Sequence, residues 1–240
     1  MNKFRTIMVF IFSCVVSLQS NAALNVAVAS NFKLAALDIA QQFTEKFAIK
    51  VNISSASTGT LYQQILRGAP FDLFLSADQL HVTLLKQANK TAQQQDFVYA
   101  QGRLVFWQPA AVQNPTIDDF MAYKGRLAIA NPKFAPYGMA AQQALVFTQK
   151  WQSLQYIQGN NINQAYQFVE SKNVAAGLVS YAAVLQKKQT HYLLIPTQWH
   201  QPLVQSGIVL NDKKLKQANL FRDFLLSETI QKQIKSQGYN

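Results

Sequence analysis

Short runs of branched and small apolar residues alternate along the chain with longer stretches whose apolar positions recur every three or four residues. Leu24 to Ala29 (LNVAVA) has the pattern of a buried strand, and Phe32, Ala36, Ile39, Ala40, Phe43 and Phe47 then follow at helical spacing. Val51 to Ser54 reads as the next strand and Leu61 to Leu66 as a helix closed by Arg67-Gly68-Ala69-Pro70, a glycine stop followed by a proline. Asp72 to Leu75 reads as a short buried strand, after which Ser76-Ala77-Asp78 caps a helix running towards Ala88. The alternation resumes over Leu127 to Ala130, Gly138 to Thr148, Ile162 to Ser171 and Gly177 to Val179. Strand and helix in this order predict an α/β fold, a mainly parallel sheet covered by helices.

Two extended stretches, Phe97 to Gln108 and Leu203 to Leu210, are longer than the other strands and lie far apart in the chain. They read as hinge strands joining two lobes, with lobe I over 23–103 plus 207–240 and lobe II over 104–206. The terminal helices around Leu215 to Leu226 and Glu228 to Lys235 then return to lobe I. No repeat is visible in the sequence. A chain of 240 residues suits two such lobes.

Residues 1–22 read as a cleavable export signal. Lys3 and Arg5 precede an apolar run from Ile7 to Leu18, and Ser20-Asn21-Ala22 offers small residues at the cleavage site. The run is about 12 residues and no later one reaches the ~18 of a membrane-spanning helix. The single cysteine, Cys14, lies inside this segment, and Ile11-Phe12-Ser13 before it matches a lipoprotein signal poorly. The remaining chain has no thiol, which suits an oxidising compartment and excludes disulfides and thiolate chemistry.

The formal charge is +11, and removing Lys3 and Arg5 leaves +9, yet only 14% of residues are charged. The imbalance reflects a scarcity of acids. The basic clusters Lys187-Lys188 and Lys213-Lys214 with Lys216 are too short for a nucleic-acid stripe and read as solvated surface. Catalytic patterns are scarce too. His81, His191 and His200 have no metal-site spacing, no nucleophile elbow or phosphate loop follows a strand, and Asp118 and Asp119, being adjacent, point apart on a helix. Asp38, Glu45, Asp72, Asp78, Asp223 and Glu228 read as helix caps or surface charges.

The notable chemistry lies where strands give way to helices: Ser30-Asn31, Ser55-Ala56-Ser57-Thr58-Gly59, Pro136-Tyr137-Gly138 and Asn160-Asn161-Ile162. Each is a helix start with free backbone N–H groups at the positive end of the peptide dipoles, and two add hydroxyls. Taken singly, Ser30, Ser57 and Thr58 are also ordinary caps. Converging on one crevice, the four turns would receive an anion.

At these residues the sequence resembles the periplasmic molybdate-binding proteins, receptors of ABC importers for molybdate and tungstate. The likeness is carried by VAVASNF (Val26 to Phe32), SASTGTLYQQILRGAPFDLFLSAD (Ser55 to Asp78), YAQGRLVFW (Tyr99 to Trp107), IANPKFAPYGMAAQQAL (Ile129 to Leu145), GNNINQAYQFV (Gly159 to Val169), AAGLVSY (Ala175 to Tyr181) and the ending from Phe224 to Tyr239. It implies a type II periplasmic binding fold, two doubly wound α/β lobes on two hinge strands, holding a tetrahedral oxyanion between them without charged side chains. It further implies a periplasmic, monomeric, non-enzymatic receptor with no cofactor and no nucleic-acid role, working with an ABC permease. The ligand positions it implies are Ser30 and Thr58 in lobe I and the amides of Tyr137 and Ile162 in lobe II, with Ser57 as the alternative if the register slips and Asn31 beside Ser30. The family's tyrosine near the hinge falls on Ser180, with Tyr181 one residue later, where a strand would turn it to the opposite face unless the strand has ended. The Tyr137 hydroxyl is a further candidate donor.

A fully deprotonated dianion needs only donors, whereas a protonated anion such as phosphate leaves its own hydrogen without an acceptor. Sulfate, thiosulfate or a small organic anion on the same fold is the alternative reading. A secreted hydrolase is a remoter one, requiring a carboxylate or histidine pair in the crevice.

Overall fold

A computed structural model describes residues 23–240; the export signal read over 1–22 lies outside the described residues. Among the described residues ten strands form two five-stranded sheets. The first contains β1 (Leu24–Ala29), β2 (Val51–Ala56), β3 (Leu73–Leu75), β4 (Phe97–Gly102) and β10 (Leu203–Val209) in the order β2-β1-β3-β10-β4. The second contains β5 (Leu104–Trp107), β6 (Leu127–Ala130), β7 (Tyr156–Gly159), β8 (Ala176–Ser180) and β9 (Tyr192–Leu194) in the order β7-β6-β8-β5-β9.

The two sheets share one plan. In each, three neighbouring strands run parallel and the fourth runs against them. Helices α1 (Lys33–Phe47), α2 (Thr58–Leu66) and α3 (Leu80–Gln87) belong to the first lobe, and α4 (Ile117–Ala122), α5 (Pro136–Phe147), α6 (Ile162–Glu170) and α7 (Tyr181–Gln186) to the second. The last two, α8 (Leu215–Leu225) and α9 (Glu228–Ser236), return to the first lobe as expected. There Phe221, Leu225, Ile230 and Ile234 join the buried cluster of Phe32, Ile39 and Phe43. The Phe43 and Phe221 rings meet edge to face at 5.0 Å. Full burial of such side chains contributes roughly 1.5–3 kcal/mol each, so the terminal helices are held by packing.

The extended stretch 97–108 is not one strand. It breaks at Arg103, and its halves lie in different sheets. The return crossing falls before Leu203 and not near 206, because all of β10 pairs within the first sheet. The C-terminus closes this edge: Asn240 and Gln101 exchange backbone hydrogen bonds of 2.9 and 3.0 Å.

Two charges expected at the surface have inward roles. Asp72 is 1% exposed; its carboxylate accepts the Asn25 backbone N–H (2.7 Å), Asn211 Nδ2–H (2.9 Å) and Lys214 Nζ–H (3.0 Å). Lys214 also donates to the Ala23 carbonyl at 2.6 Å. The pair ties β1, β3 and the start of α8 together, and a buried carboxylate without those partners would be strongly unfavourable.

Candidate functional site

The carboxyl ends of β1, β2, β6 and β7 face one another across the junction of the lobes, and the segments leaving them surround a small cavity. Ser30, Asn31, Ser57, Thr58 and Ala77 line it from the first lobe, and Ala135, Pro136, Tyr137 and Ile162 from the second. The open space is ≈ 10 Å³, about one water's worth, so a five-atom oxyanion enters only with the lobes somewhat further apart. No ionised side chain lines this space.

Local sequence aims donors into it. Ser57 caps α2: its Oγ accepts the Thr60 N–H at 3.3 Å and contacts Thr60 Oγ1 at 2.7 Å. Ser57 thus caps α2 while also bordering the cavity. Thr58 Oγ1 accepts the Ala77 N–H at 3.0 Å, which leaves its own hydrogen to donate. In the second lobe Pro136 opens α5; because proline has no N–H, Tyr137 supplies the first amide donor of that helix. Ile162 opens α6 behind an Asn161 cap whose Oδ1 accepts the Gln164 N–H at 3.1 Å. First-turn amides have no partner within their own helix.

The other candidates lie elsewhere. Ser180 caps α7, accepting the Ala183 N–H at 3.3 Å, and does not line the cavity. Tyr181 is not a strand residue: β8 ends at Ser180 and Tyr181 opens α7, where its ring lies under the Arg103 guanidinium and beside Tyr192 and does not line the cavity. Tyr137 lines the cavity, but the residue is 1% exposed and its hydroxyl lies against Gly102 at the hinge. A Cβ on Gly102 would lie 2.1 Å from the Tyr137 hydroxyl and 3.0 Å from Gln205 Nε2; only glycine leaves room there. Ser180, Asn31 and Gln205 surround the Tyr137 hydroxyl, yet none forms a hydrogen bond with it, and both this hydroxyl and Gln205 Nε2 are buried without partners.

Around them runs a buried polar network. Gln205 Oε1 accepts from Asn31 Nδ2 (2.9 Å) and from the Tyr99 hydroxyl (3.0 Å), while the Tyr239 hydroxyl donates to the Asn31 carbonyl at 2.7 Å. Burial pushes the pKa of Tyr99, Tyr137 and Tyr239 above the usual tyrosine value, so all three remain neutral donors at neutral pH. Asn31 is thereby anchored from behind while its residue borders the cavity.

A wider groove of ≈ 310 Å³ adjoins the cavity and contains the pair His81–Asp78, 2.8 Å apart. Ser76 Oγ donates to the same aspartate at 3.0 Å. The carboxylate stands between the hydroxyl and the imidazole, so the histidine has no contact through which to activate the serine, and the three do not form a catalytic triad. Asp78 also accepts the His81 backbone N–H at 3.0 Å, the role of a helix cap. Among the described residues no three His, Cys, Asp or Glu side chains cluster as a metal site would require.

A profile of bacterial extracellular solute-binding proteins matches residues 24–240. The chain belongs to that family. It is 34% identical over 221 residues to the molybdate-binding protein ModA of Rhodobacter capsulatus, covering 89% of this chain and 86% of that one. It is 35% identical over 228 residues to ModA of Azotobacter vinelandii, covering 91% and 90%. The solved periplasmic molybdate-binding protein of Azotobacter vinelandii superposes with a TM-score of 0.85 at 29% identity, over 90% of this chain and 98% of that one.

Within this solute-binding protein, two contacts between the lobes escaped the sequence reading. Asn163 Nδ2 donates to the Ser30 carbonyl at 2.8 Å, and the Gly59 N–H donates to the Phe134 carbonyl at 2.9 Å. An asparagine in a first helical turn looks like a capping residue, so Asn163 carried no distinguishing signal. Gly59 carried one: glycine is disfavoured inside a helix, and its presence signals close backbone approach.

Proposed function

We propose that this protein is an exported receptor that captures molybdate or tungstate between its lobes and delivers it to an ABC permease. The observation carrying this reading is the uncharged cavity lined by Ser30 and Thr58 of the first lobe and by the helix starts at Tyr137 and Ile162 of the second. Such a set suits a small, fully deprotonated dianion, since charge-assisted bonds from preorganised N–H and O–H donors are short and strong. The names of the relatives from Rhodobacter and Azotobacter support the same ligand class. Ser30, Thr58 and the amides of Tyr137 and Ile162 hold the anion, with Asn31 bordering it; Ser57, Ser180 and Tyr181 do not touch it. The receptor acts in the periplasm as a monomer, without cofactor or catalysis.

Binding begins on the first-lobe donors while the lobes are apart, and closure about the crossings at Arg103 and before Leu203 brings the second-lobe amides onto the other face. Titration calorimetry with molybdate, tungstate, sulfate and phosphate tests this. The expected result is tight binding of the first two, weaker binding of sulfate and none of phosphate, whose proton finds no acceptor. At 100 times its dissociation constant a ligand adds about 2.7 kcal/mol of apparent stability, a thermal shift that provides a second readout. Absence of heat and shift with both molybdate and tungstate would refute the reading.

A further inference from the structure

Gly59 and Asn163 lie beside the cavity, and each hydrogen-bonds a backbone carbonyl of the opposite lobe. The Gly59 amide is a first-turn donor of α2, the kind of group that elsewhere around the cavity faces the anion; here it is spent on Phe134 across the junction. A Cβ at Gly59 would lie 3.0 Å from the Phe134 carbonyl oxygen and 3.1 Å from its Cα, so the missing side chain is what admits the second lobe. Asn163, in the first turn of α6, reaches in the other direction to Ser30. The Ser30 carbonyl and the Asn31 N–H belong to one peptide unit, so a donor on that oxygen polarises the N–H bordering the cavity and strengthens it as an anion donor.

We propose that Gly59 and Asn163 are positioning residues that set how long the closed receptor retains its anion. This rests on the oxyanion reading above. Neither residue needs to touch the ligand. Both bonds join groups on opposite lobes, so they exist only when the lobes are together and add to closure without affecting the encounter with the open form. They act on release, and the association rate is insensitive to them.

The test is stopped-flow binding of molybdate to the full mature chain, following intrinsic fluorescence, with the ligand-free melting temperature measured alongside. Asn163→Ala is expected to speed release roughly three- to tenfold, the worth of one hydrogen bond, with unchanged association rate and unchanged ligand-free melting. Asn163→Asp, which sets a carboxylate against the Ser30 carbonyl beside the anion, speeds release further. Gly59→Ala is the sharper variant because its two readouts move in opposite directions. Alanine favours the helix over glycine and so holds or raises the ligand-free melting temperature, while its methyl group against Phe134 accelerates release more than tenfold. Wild-type release rates in both Gly59→Ala and Asn163→Ala would overturn the latch while leaving the oxyanion reading intact. Loss of association rate with unchanged release would overturn it too, by assigning these residues to the encounter. A wild-type chain that binds neither molybdate nor tungstate would refute the oxyanion reading and this proposal with it.

Discussion

Where Gly59 meets Phe134 and Asn163 meets Ser30, the lobes join through hydrogen bonds of 2.9 and 2.8 Å. Where Tyr137 meets Gly102 and Gln205, they join through packed polar atoms, two of which are buried without partners. The first side favours the closed arrangement. The second opposes it, since a buried donor or acceptor without a partner costs about 1–3 kcal/mol, and separating the lobes returns the Tyr137 hydroxyl to water. Opposed contributions of similar size leave the free-energy difference between open and closed small. A ligand that adds donors and charge to the closed state then decides the balance.

The largest expected effect lies between the two sides, on the cavity itself. Ser30→Ala combined with Thr58→Ala removes two charge-assisted bonds and weakens molybdate binding by about 3 kcal/mol, read by calorimetry, with the fold retained by circular dichroism; unchanged affinity would show that the anion sits elsewhere. On the hinge side, Gly102→Ala places a methyl group where the Tyr137 ring tip lies, and overpacking of this kind costs about 2 kcal/mol. Affinity falls accordingly, and small-angle scattering finds the molybdate-saturated variant less compact than wild type. A fully compact saturated variant would show that the space at Gly102 does not control closure.

Tyr137→Phe gives the contrast its sharpest form, because it keeps the ring and the backbone amide and removes only the unpartnered hydroxyl. Binding tightens by about 1 kcal/mol if that hydroxyl opposes closure. Weakened binding would mean instead that the hydroxyl donates to the ligand.

The titration of this side has a defined sign. Burial raises the pKa of Tyr99, Tyr137 and Tyr239, so folding favours their neutral forms. Their contribution to stability is complete below the ordinary tyrosine value near 10 and is lost as the pH rises above it. Urea midpoints are therefore flat from about pH 7 to 9 in this respect and decline above about 10. A decline centred well below 9 would assign the sensitivity to other groups. The smallest effect on binding belongs to Ser57→Ala, which removes the cap of α2 at about 1 kcal/mol of stability and changes affinity less than Thr58→Ala does.

The fold was largely legible because its signals are local. Alternating apolar runs marked β1, β2, β6 and β8, helical spacing marked α1 and α6, and the terminal helices were placed on the first lobe from the two extended stretches alone. The stretch Phe97 to Gln108 marked a crossing at 103 but read as one hinge strand. That it breaks there into two strands was not legible, because the run is apolar enough to read as continuous and only pairing partners show that its halves serve different sheets. The serine-rich and glycine-rich turns announced four helix starts, and all four border the cavity. Ser180 was placed at the ligand by resemblance, but it ends β8, caps α7 and lies outside the lining of the cavity. Asp72 reads as a surface charge until Asn25, Asn211 and Lys214 are brought around it.

Residue order alone determined the elements, the helix ends that present unpaired amides, and the absence of charged groups within those turns, because periodicity and capping act over a few neighbouring residues. The tertiary structure alone decided which donors face the cavity and which are spent on the opposite lobe. Thr58 and Gly59 are neighbours in one helical turn, yet one hydroxyl borders the cavity while the adjacent amide bonds Phe134, more than seventy positions away. That assignment depends on how two sheets approach each other, a distance set by packing across the whole junction and not by any run of adjacent residues.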